Sequence, residues 1–196
     1  MAIALPTLEF LFDSCRKHRL DLSTCKMIEL GNQSLKERAQ RYDGNVHPRI
    51  AKYFFQEMGV DHTSIDVNEK DGALPIDMCK PIEDLSLVGS FDILTNFGTS
   101  EHIENEYACW KNMHDLVKQG GLFVHAVPLV GNWYRHGLYK YTQEFFTSLC
   151  ALCCYTEVLS SSWGRCKGRK LIFYSYSKDR DIEFVSREQF AILRGE

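Results

Sequence analysis

The feature that most constrains this fold is residues 26–31 (KMIELG), a short apolar run closed by an acid and a glycine. Strands of parallel sheets are buried on both faces and read as continuous apolar runs, and ligands of open α/β sheets bind outside their carboxyl ends. Glycine lets the backbone approach a ligand, and an acid accepts hydrogen bonds from ammonium or hydroxyl groups. The segment predicts a strand that presents a turn to a ligand. A core strand with a chance glycine turn is the alternative.

Length and composition favour a single domain over residues 1–196. The chain has 44% hydrophobic residues, enough for one sizeable core, and no repeat or Pro/Ser/Gly-rich stretch that would link two domains. A formal charge of -3 argues against a nucleic-acid partner, because phosphate binding requires a surplus of Lys and Arg.

The expected compartment is the cytoplasm. Residues 1–11 carry an acid and a proline instead of the basic start of a signal peptide, and no apolar stretch reaches the roughly 18 residues of a membrane span. Eight cysteines include one CxxC, at residues 150–153, without a second pair or spaced histidines to complete a zinc site. We therefore expect reduced, mostly buried thiols and no membrane partner.

Strand-like and helix-like segments alternate along the chain. Apolar residues at helical spacing predict helices over 8–22, 46–58 and 104–118, and a further helix that Thr142 caps. The predicted strands are 26–31, 62–67, 73–77, 91–96, 122–127, 156–161 and 171–177. This order is typical of a three-layer α/β/α sandwich, with a mostly parallel seven-stranded sheet and an antiparallel C-terminal hairpin at its edge.

Right-handed crossovers bring the carboxyl ends of parallel strands to one side of a sheet. We therefore expect Gly31, Asp66, Asn96 and His125 to lie on one rim, which is the predicted site. Taken alone, Asp66 and Asp77 are equally well explained as turn residues. Their order along a common rim favours a binding site.

This order of features resembles class I S-adenosylmethionine-dependent methyltransferases, from about residue 24 to residue 177. In that family an acid-x-glycine follows the first strand, acids follow the second and third strands, and a polar turn ends the fourth. Here these features are residues 29–31 (ELG), Asp66, Asp77 and residues 96–99 (NFGT).

The resemblance implies S-adenosylmethionine as cofactor and assigns roles by position. Gly31, with Glu29 and Asn32, would face the methionine part, Asp66 would accept the ribose hydroxyls, and Asp77 would lie by the adenine amino group. The floor near the sulfonium would be formed by Asn96, Phe97, Gly98 and Thr99.

The first loop departs from the family, which has further glycines there. Residues 31–34 read GNQS. We expect this loop to take a different path, with Asn32 in a left-handed conformation.

Three histidines are candidates for proton transfer at the acceptor side: His102, His125 and His136. Histidine suits this task because its pKa is near neutrality. Our hypothesis is that His102 or His136 acts as general base or acceptor anchor, beside an aromatic wall of Trp133, Tyr134 and Tyr139. The three imidazoles and Glu101 are an alternative metal-ligand set. Because no HxH or HxxxH pair is present, we assign no metal ligand.

These features predict a methyltransferase that acts on an oxygen or nitrogen of a small molecule or of an exposed side chain. A nicotinamide-dependent oxidoreductase shares the strand, turn and acid, but the chain lacks the G-x-G-x-x-G that phosphates need. A catalytically silent, cofactor-binding partner subunit is the third possibility, which the altered first loop keeps open.

Overall fold

The computed structural model describes residues 2–131, 133–164 and 169–195. Its strands are β1 Ala2–Ile3, β2 Lys26–Leu30, β3 Ser34–Leu35, β4 Asp61–Ile65, β5 Phe91–Asn96, β6 Val117–Pro128, β7 Thr156–Gly164 and β8 Lys170–Ser177. Its α-helices are α1 Leu5–Lys17, α2 Ala51–Glu57, α3 Glu106–Leu116, α4 Gln143–Leu152 and α5 Arg187–Arg194. Most of the turn between β7 and β8, residues 165–168, lies outside the described residues.

Six strands form the main sheet, in the order β4-β2-β5-β6-β8-β7. The first four run parallel, and β8 pairs antiparallel with both β6 and β7. The predicted mostly parallel sheet with an antiparallel edge hairpin is confirmed. β1 and β3 form a separate parallel pair.

The prediction of seven strands in the sheet is wrong for the described residues, in which the main sheet has six. The expected third strand, residues 73–77, contributes an isolated bridge between Leu74 and Ile65. Leu74 uses both its N–H and its carbonyl on β4, with Ser64 and Asp66 as partners, but the N–H of Ile76 donates to the Leu74 carbonyl at 2.8 Å, and the chain turns away at Pro75. The pairing therefore stops at one bridge.

Helices cover both faces of the sheet, as the sequence pattern predicts. Along β2, Met27 packs in the core that contains Phe54 of α2 and Leu8 of α1. The next residue, Ile28, packs in the opposite core with Trp110 of α3 and residues of α4 and α5. Alternating side chains of the buried strands thus supply both cores.

The strand register aligns the predicted rim. Leu30 pairs with Ile65 on one side and with Asn96 on the other, and Asn96 pairs with His125. These residues form one row across four strands. The turns that follow β2, β4 and β5 therefore leave the sheet at the same edge.

Helix α5 was not expected from the sequence. A capping box begins it, in which Ser186 Oγ accepts from Gln189 N and Gln189 Oε1 accepts from Ser186 N. Phe190 anchors the helix in the core beside α3 and α4.

All seven cysteines in the described residues are unpaired, and five of them are buried. This agrees with the expected reduced thiols. None of the helices in the described ranges combines the length and apolarity that crossing a bilayer requires.

Candidate active site

Gly31 and Asp66 lie together where β2 and β4 end. The N–H of Gly31 donates to the carbonyl of Ile65 at 2.7 Å, and the N–H of Asn32 donates to Asp66 Oδ2 at 2.9 Å. Asp66 Oδ1 accepts the N–H of Asn68 at 3.0 Å. Each carboxylate oxygen keeps lone pairs for a further donor.

Gly31, and not Asn32, takes the left-handed conformation, with φ 76°. The expectation for Asn32 is wrong: Gly31 makes the turn, and the Asn32 side chain instead donates from Nδ2 to Asp71 Oδ2 at 2.7 Å and to the carbonyl of Lys70 at 3.0 Å. Asn32 thereby ties the first loop to residues 66–72. We call Gly31, Asn32 and Asp66 the glycine corner.

Gln33 covers the glycine corner, a role that sequence reasoning missed. Its side-chain Nε2 donates to the carbonyl of Leu30 at 3.2 Å and to Thr99 Oγ1 at 3.3 Å. A Cβ at residue 31 would lie 2.8 Å from Thr99 Oγ1 and 2.9 Å from Gln33 Nε2. Only glycine fits this crowded position.

Two amide oxygens beside the glycine corner lack partners. Asn32 Oδ1 and Gln33 Oε1 are both buried and accept no hydrogen bond from the described residues. Buried acceptors are normally satisfied. They are suited to a ligand that brings N–H or O–H donors.

Glu29 lies beneath the loop and away from its surface. The carboxyl group is fully buried, accepts the N–H of Gln33 at 3.2 Å and lies 3.7 Å from His62 Nε2. Burial raises the pKa of Glu29 to about 8 and lowers that of His62 to about 4. This placement favours a role in holding the loop over direct contact with a ligand.

Asp77 lies in a turn, where its carboxylate accepts the N–H of Cys79 at 3.0 Å and pairs with Lys80 at 3.2 Å. The Cys79 N–H is the main cause of a lowered Asp77 pKa. These contacts match the turn-residue alternative. The predicted adenine contact stays a prediction.

The turn after β5 is built around Asn96. Its Oδ1 accepts the N–H of Ser100 at 3.1 Å, and its Nδ2 donates to Ser100 Oγ at 2.8 Å. Phe97 is buried, and Gly98 has φ 79°. Thr99 Oγ1 donates to the carbonyl of Leu30 at 2.8 Å, which places this turn directly beside the glycine corner.

His125 is enclosed in the sheet beneath that turn. Its Nδ1 accepts a hydrogen bond from Asn96 Nδ2 at 3.2 Å, and its Nε2 lies 3.0 Å from Tyr176 Oη. The ring stacks on that of Trp110, with centroids 5.0 Å apart. Burial lowers its pKa to about 3. Full enclosure disfavours the proton transfer predicted for His125, because no methyl acceptor can reach its ring.

His102 and His136 lie together, 34 residues apart in sequence, and converge on Glu101. Glu101 Oε1 is 3.8 Å from His102 Nε2 and 3.7 Å from His136 Nε2, and the two rings meet edge-on at 5.0 Å. We call these three residues the Glu-His-His cluster. Glu101 is fully buried, whereas the side chains of His102 and His136 are 47% and 30% exposed.

Burial sets the charges of this cluster. It raises the pKa of Glu101 to about 7 and lowers that of His102. His102 is therefore neutral near pH 7 and can accept a proton.

The loop that carries His136 is fixed to the backbone of Glu101. The Glu101 carbonyl accepts the N–H of Leu138 at 2.6 Å. Gly137, with φ 62°, brings the loop so close that a Cβ would lie 2.8 Å from Glu101 Cγ. Sequence spacing gives no signal for this contact, since it joins residues 36 positions apart.

The predicted aromatic wall is realised in part. Trp133 is buried, and its ring lies 4.9 Å from that of His136. Tyr139 Oη donates to the carbonyl of Glu104 at 2.7 Å. Tyr134 is 80% exposed and stands out from the wall.

A cavity of about 1030 Å³ lies elsewhere, near the start of β5 and β6. Gly89, His114, Lys118 and Lys178 are among its lining residues. Both ring nitrogens of His114 have hydrogen-bond partners, which are Tyr155 Oη and the carbonyl of Ile182. The cavity is at the opposite end of the strands from the glycine corner, so its size does not make it the candidate site.

Sequence comparison finds a similarity to a methyltransferase domain over part of the chain. Residues 42–125 match the family model of that description. No curated protein shows a significant sequence match.

Solved structures share the fold. The 1,6-didemethyltoxoflavin-N1-methyltransferase of Burkholderia thailandensis is 13% identical with a TM-score of 0.57, over 90% of this chain and 88% of that one. A phosphoethanolamine N-methyltransferase of Haemonchus contortus is 11% identical with a TM-score of 0.54, over 88% of this chain and 53% of that one. The StiE O-MT segment is 12% identical with a TM-score of 0.53, over 92% of this chain and 77% of that one.

Proposed function

We propose, from the premise that this chain carries a class I, S-adenosylmethionine-dependent methyltransferase domain, that it methylates an oxygen or nitrogen of a small molecule or an exposed side chain. The observation that carries the proposal is the glycine corner: a left-handed Gly31 and the Asp66 carboxylate joined through the N–H of Asn32. The glycine corner lies on the same rim as the Glu-His-His cluster. Thr99, which bonds the carbonyl of Leu30 beside the corner, is two residues before Glu101 of the cluster.

The residues of the glycine corner fit S-adenosylmethionine. Asp66 has lone pairs left for the ribose hydroxyls, and a bond from a hydroxyl to a carboxylate is stronger than a neutral one. The unpartnered Asn32 Oδ1 and Gln33 Oε1 suit the ammonium of the methionine part. When bound, the cofactor supplies a methyl group on a positively charged sulfur.

The protein's part in methyl transfer is to align the acceptor and to remove its proton where needed. His102 is half exposed and neutral near pH 7, so it is placed to take that proton. Trp133 orients His136 through ring contact at 4.9 Å.

Small acceptors are supported by two of the similar structures. The Burkholderia enzyme holds 1,6-didemethyltoxoflavin, and the Haemonchus enzyme holds phosphomonomethylethanolamine. We extend the size class of these acceptors, and not their identity, to this chain.

A catalytically silent module is the second candidate, favoured by Gln33. The Gln33 side chain bonds Leu30 and Thr99 across the glycine corner, where the resembled family has glycine. If that side chain does not yield, the methionine part cannot approach Gly31.

Titration calorimetry with S-adenosylhomocysteine tests the cofactor site. We expect wild-type binding and a loss of about 10–100-fold in Asp66→Asn, because a hydrogen bond to a charged group contributes about 1.5–3 kcal/mol. Asp61→Asn, at the exposed opposite end of β4, is the matched control and should bind as wild type does. Binding of NAD in place of S-adenosylhomocysteine would overturn the proposal.

Gln33→Gly separates the two candidates. If the chain is an active enzyme, the wild-type protein binds S-adenosylhomocysteine without the substitution. It also produces this compound during turnover with an accepted substrate. A silent module binds only after Gln33 is removed, or binds without turnover across an acceptor panel.

A further inference from the structure

We propose that Glu101, His102 and His136 form a site for a divalent transition-metal ion of the zinc and iron(II) class. The proposal concerns binding by the Glu-His-His cluster itself. It does not depend on methyl transfer, since metal binding is measurable without cofactor or acceptor.

The geometry carries the first step. One ligand atom from each residue lies within 4.8 Å of the others, and both imidazole Nε2 atoms are within 3.8 Å of Glu101 Oε1. Ligands bound at about 2.0–2.2 Å in tetrahedral geometry are separated by somewhat less than this. Small side-chain rotations therefore close the cluster around one ion.

The carboxylate of Glu101 supplies the second, independent step. It is fully buried, and neither oxygen has a hydrogen-bond partner among the described residues. No lysine or arginine of the described chain is paired with it. A buried carboxyl group without a partner is costly, and buried charges are normally paired or coordinate metals.

The backbone holds the ligands in place. A short 3₁₀ turn, Ser100–His102, places Glu101 inward and His102 outward. The N–H of Leu138 bonds the Glu101 carbonyl and fixes the second loop. A substitution at Gly137 would separate the loops, since a Cβ there meets Glu101 Cβ and Cγ at 3.2 and 2.8 Å.

The donor set determines the class of ion. Two imidazoles with one carboxylate suit zinc or iron(II), whereas magnesium and calcium prefer oxygen ligands. Three protein ligands leave a coordination position for water or for an acceptor oxygen. That position faces solvent, because both imidazoles are partly exposed.

Titration of the cofactor-free protein with Zn²⁺, followed by calorimetry and by metal analysis after dialysis, tests the site. All variants carry Cys154→Ser, because thiolates are zinc ligands and Cys154 is exposed. We expect one zinc per chain and a loss of more than about 100-fold in His102→Ala and in His136→Ala, since removing even a supporting group costs 10–100-fold. Magnesium should not compete.

His47→Ala is the matched control. His47 also contacts two carboxylates, Asp43 at 2.9 Å and Glu57 at 3.4 Å, but among the described residues only the Glu-His-His cluster brings three ligand atoms within 4.8 Å of one another. Zinc affinity should not change in this variant. Equal loss in His47→Ala would overturn the assignment to the Glu-His-His cluster.

Glu101→Gln removes the buried charge and keeps its volume. We expect zinc binding to be lost while circular dichroism remains that of wild type. His102→Ala tests the same site if Glu101→Gln fails to fold, because His102 is half exposed and its removal leaves the core intact. Absence of zinc binding in the wild type, or binding undiminished in both histidine variants, would overturn the proposal.

Discussion

Two carboxyl groups of this molecule lie beside imidazoles at nearly equal distance and in opposite surroundings. Glu29 and His62 are 3.7 Å apart, and both side chains are fully buried. Glu101 lies 3.7 Å from His136 and 3.8 Å from His102, whose side chains reach solvent. The first pair is sealed between β2 and α2, and the second opens onto the rim.

The surroundings decide what each pair can do. Burial raises the pKa of Glu29 to about 8 and lowers that of His62 to about 4, so both are neutral at pH 7. The sealed pair therefore packs as uncharged groups, with His62 stacked on Phe55 at 5.4 Å. The imidazole nitrogens of the open cluster are accessible to solvent. The cluster can therefore exchange protons or bind a cation.

The largest expected contrast is in stability. His62→Ala removes a buried ring and should lower the free energy of unfolding by about 2–3 kcal/mol, the lower part of the range for large core truncations. Relief of its two unpartnered nitrogens offsets part of the cavity term. His102→Ala should change stability by less than about 0.5 kcal/mol. Urea unfolding of both variants checks this; equal losses would mean that the two sites are equally buried.

The next contrast is in the pH dependence of stability. Because the pKa of Glu29 is raised in the folded state, its favourable contribution is complete below pH 4.5 and is lost as the pH rises through about 8. Between pH 7 and 8 wild type should lose up to about 1.4 kcal/mol that Glu29→Gln does not lose. Urea unfolding at the two pH values measures the difference.

Glu101→Gln is the control for that slope. The pKa of Glu101 is raised to about 7, so its contribution is lost mainly below pH 7. His62, with a lowered pKa of about 4, changes stability in the opposite sense and only below about pH 6.5. A slope between pH 7 and 8 that survives Glu29→Gln and disappears in Glu101→Gln would reverse the comparison.

Hydrophobic periodicity predicted the layers of this fold, because each buried strand and amphipathic helix has a local signature. The failed third strand shows the limit: Leu74 and Ile76 alternate as in a strand, but the chain turns at Pro75, where the N–H of Ile76 donates to the Leu74 carbonyl instead of to β4. Helix α5 was missed because its capping box is short, and its place depends on contact with distant helices.

The site was predictable where it follows from strand ends. Gly31, Asp66 and Thr99 meet because the register aligns β2, β4 and β5. Residues joined by side-chain direction were not predictable: Gln33 folds back over Gly31, and His125 turns into the core. Glu101 and His136 come together through a long loop, for which spacing carries no information.

The smallest expected effect concerns the support of the open cluster by Trp133. Its Nε1 donates to the carbonyl of Lys170 at 2.5 Å, and that carbonyl also accepts the N–H of Leu129 at 3.1 Å. Trp133→Phe therefore leaves no acceptor unpartnered and should cost roughly 1 kcal/mol of stability.

The same change should weaken zinc binding less than about ten-fold, because the ring at 4.9 Å from His136 supports a ligand without being one. Tyr134→Phe, at an exposed position of the same loop, should alter neither quantity. Urea unfolding and zinc calorimetry of the two variants measure the contrast. If Trp133→Phe leaves zinc affinity unchanged while stability falls, His136 is positioned by Gly137 and Leu138 alone, and the open cluster is as firmly built into the backbone as the sealed pair.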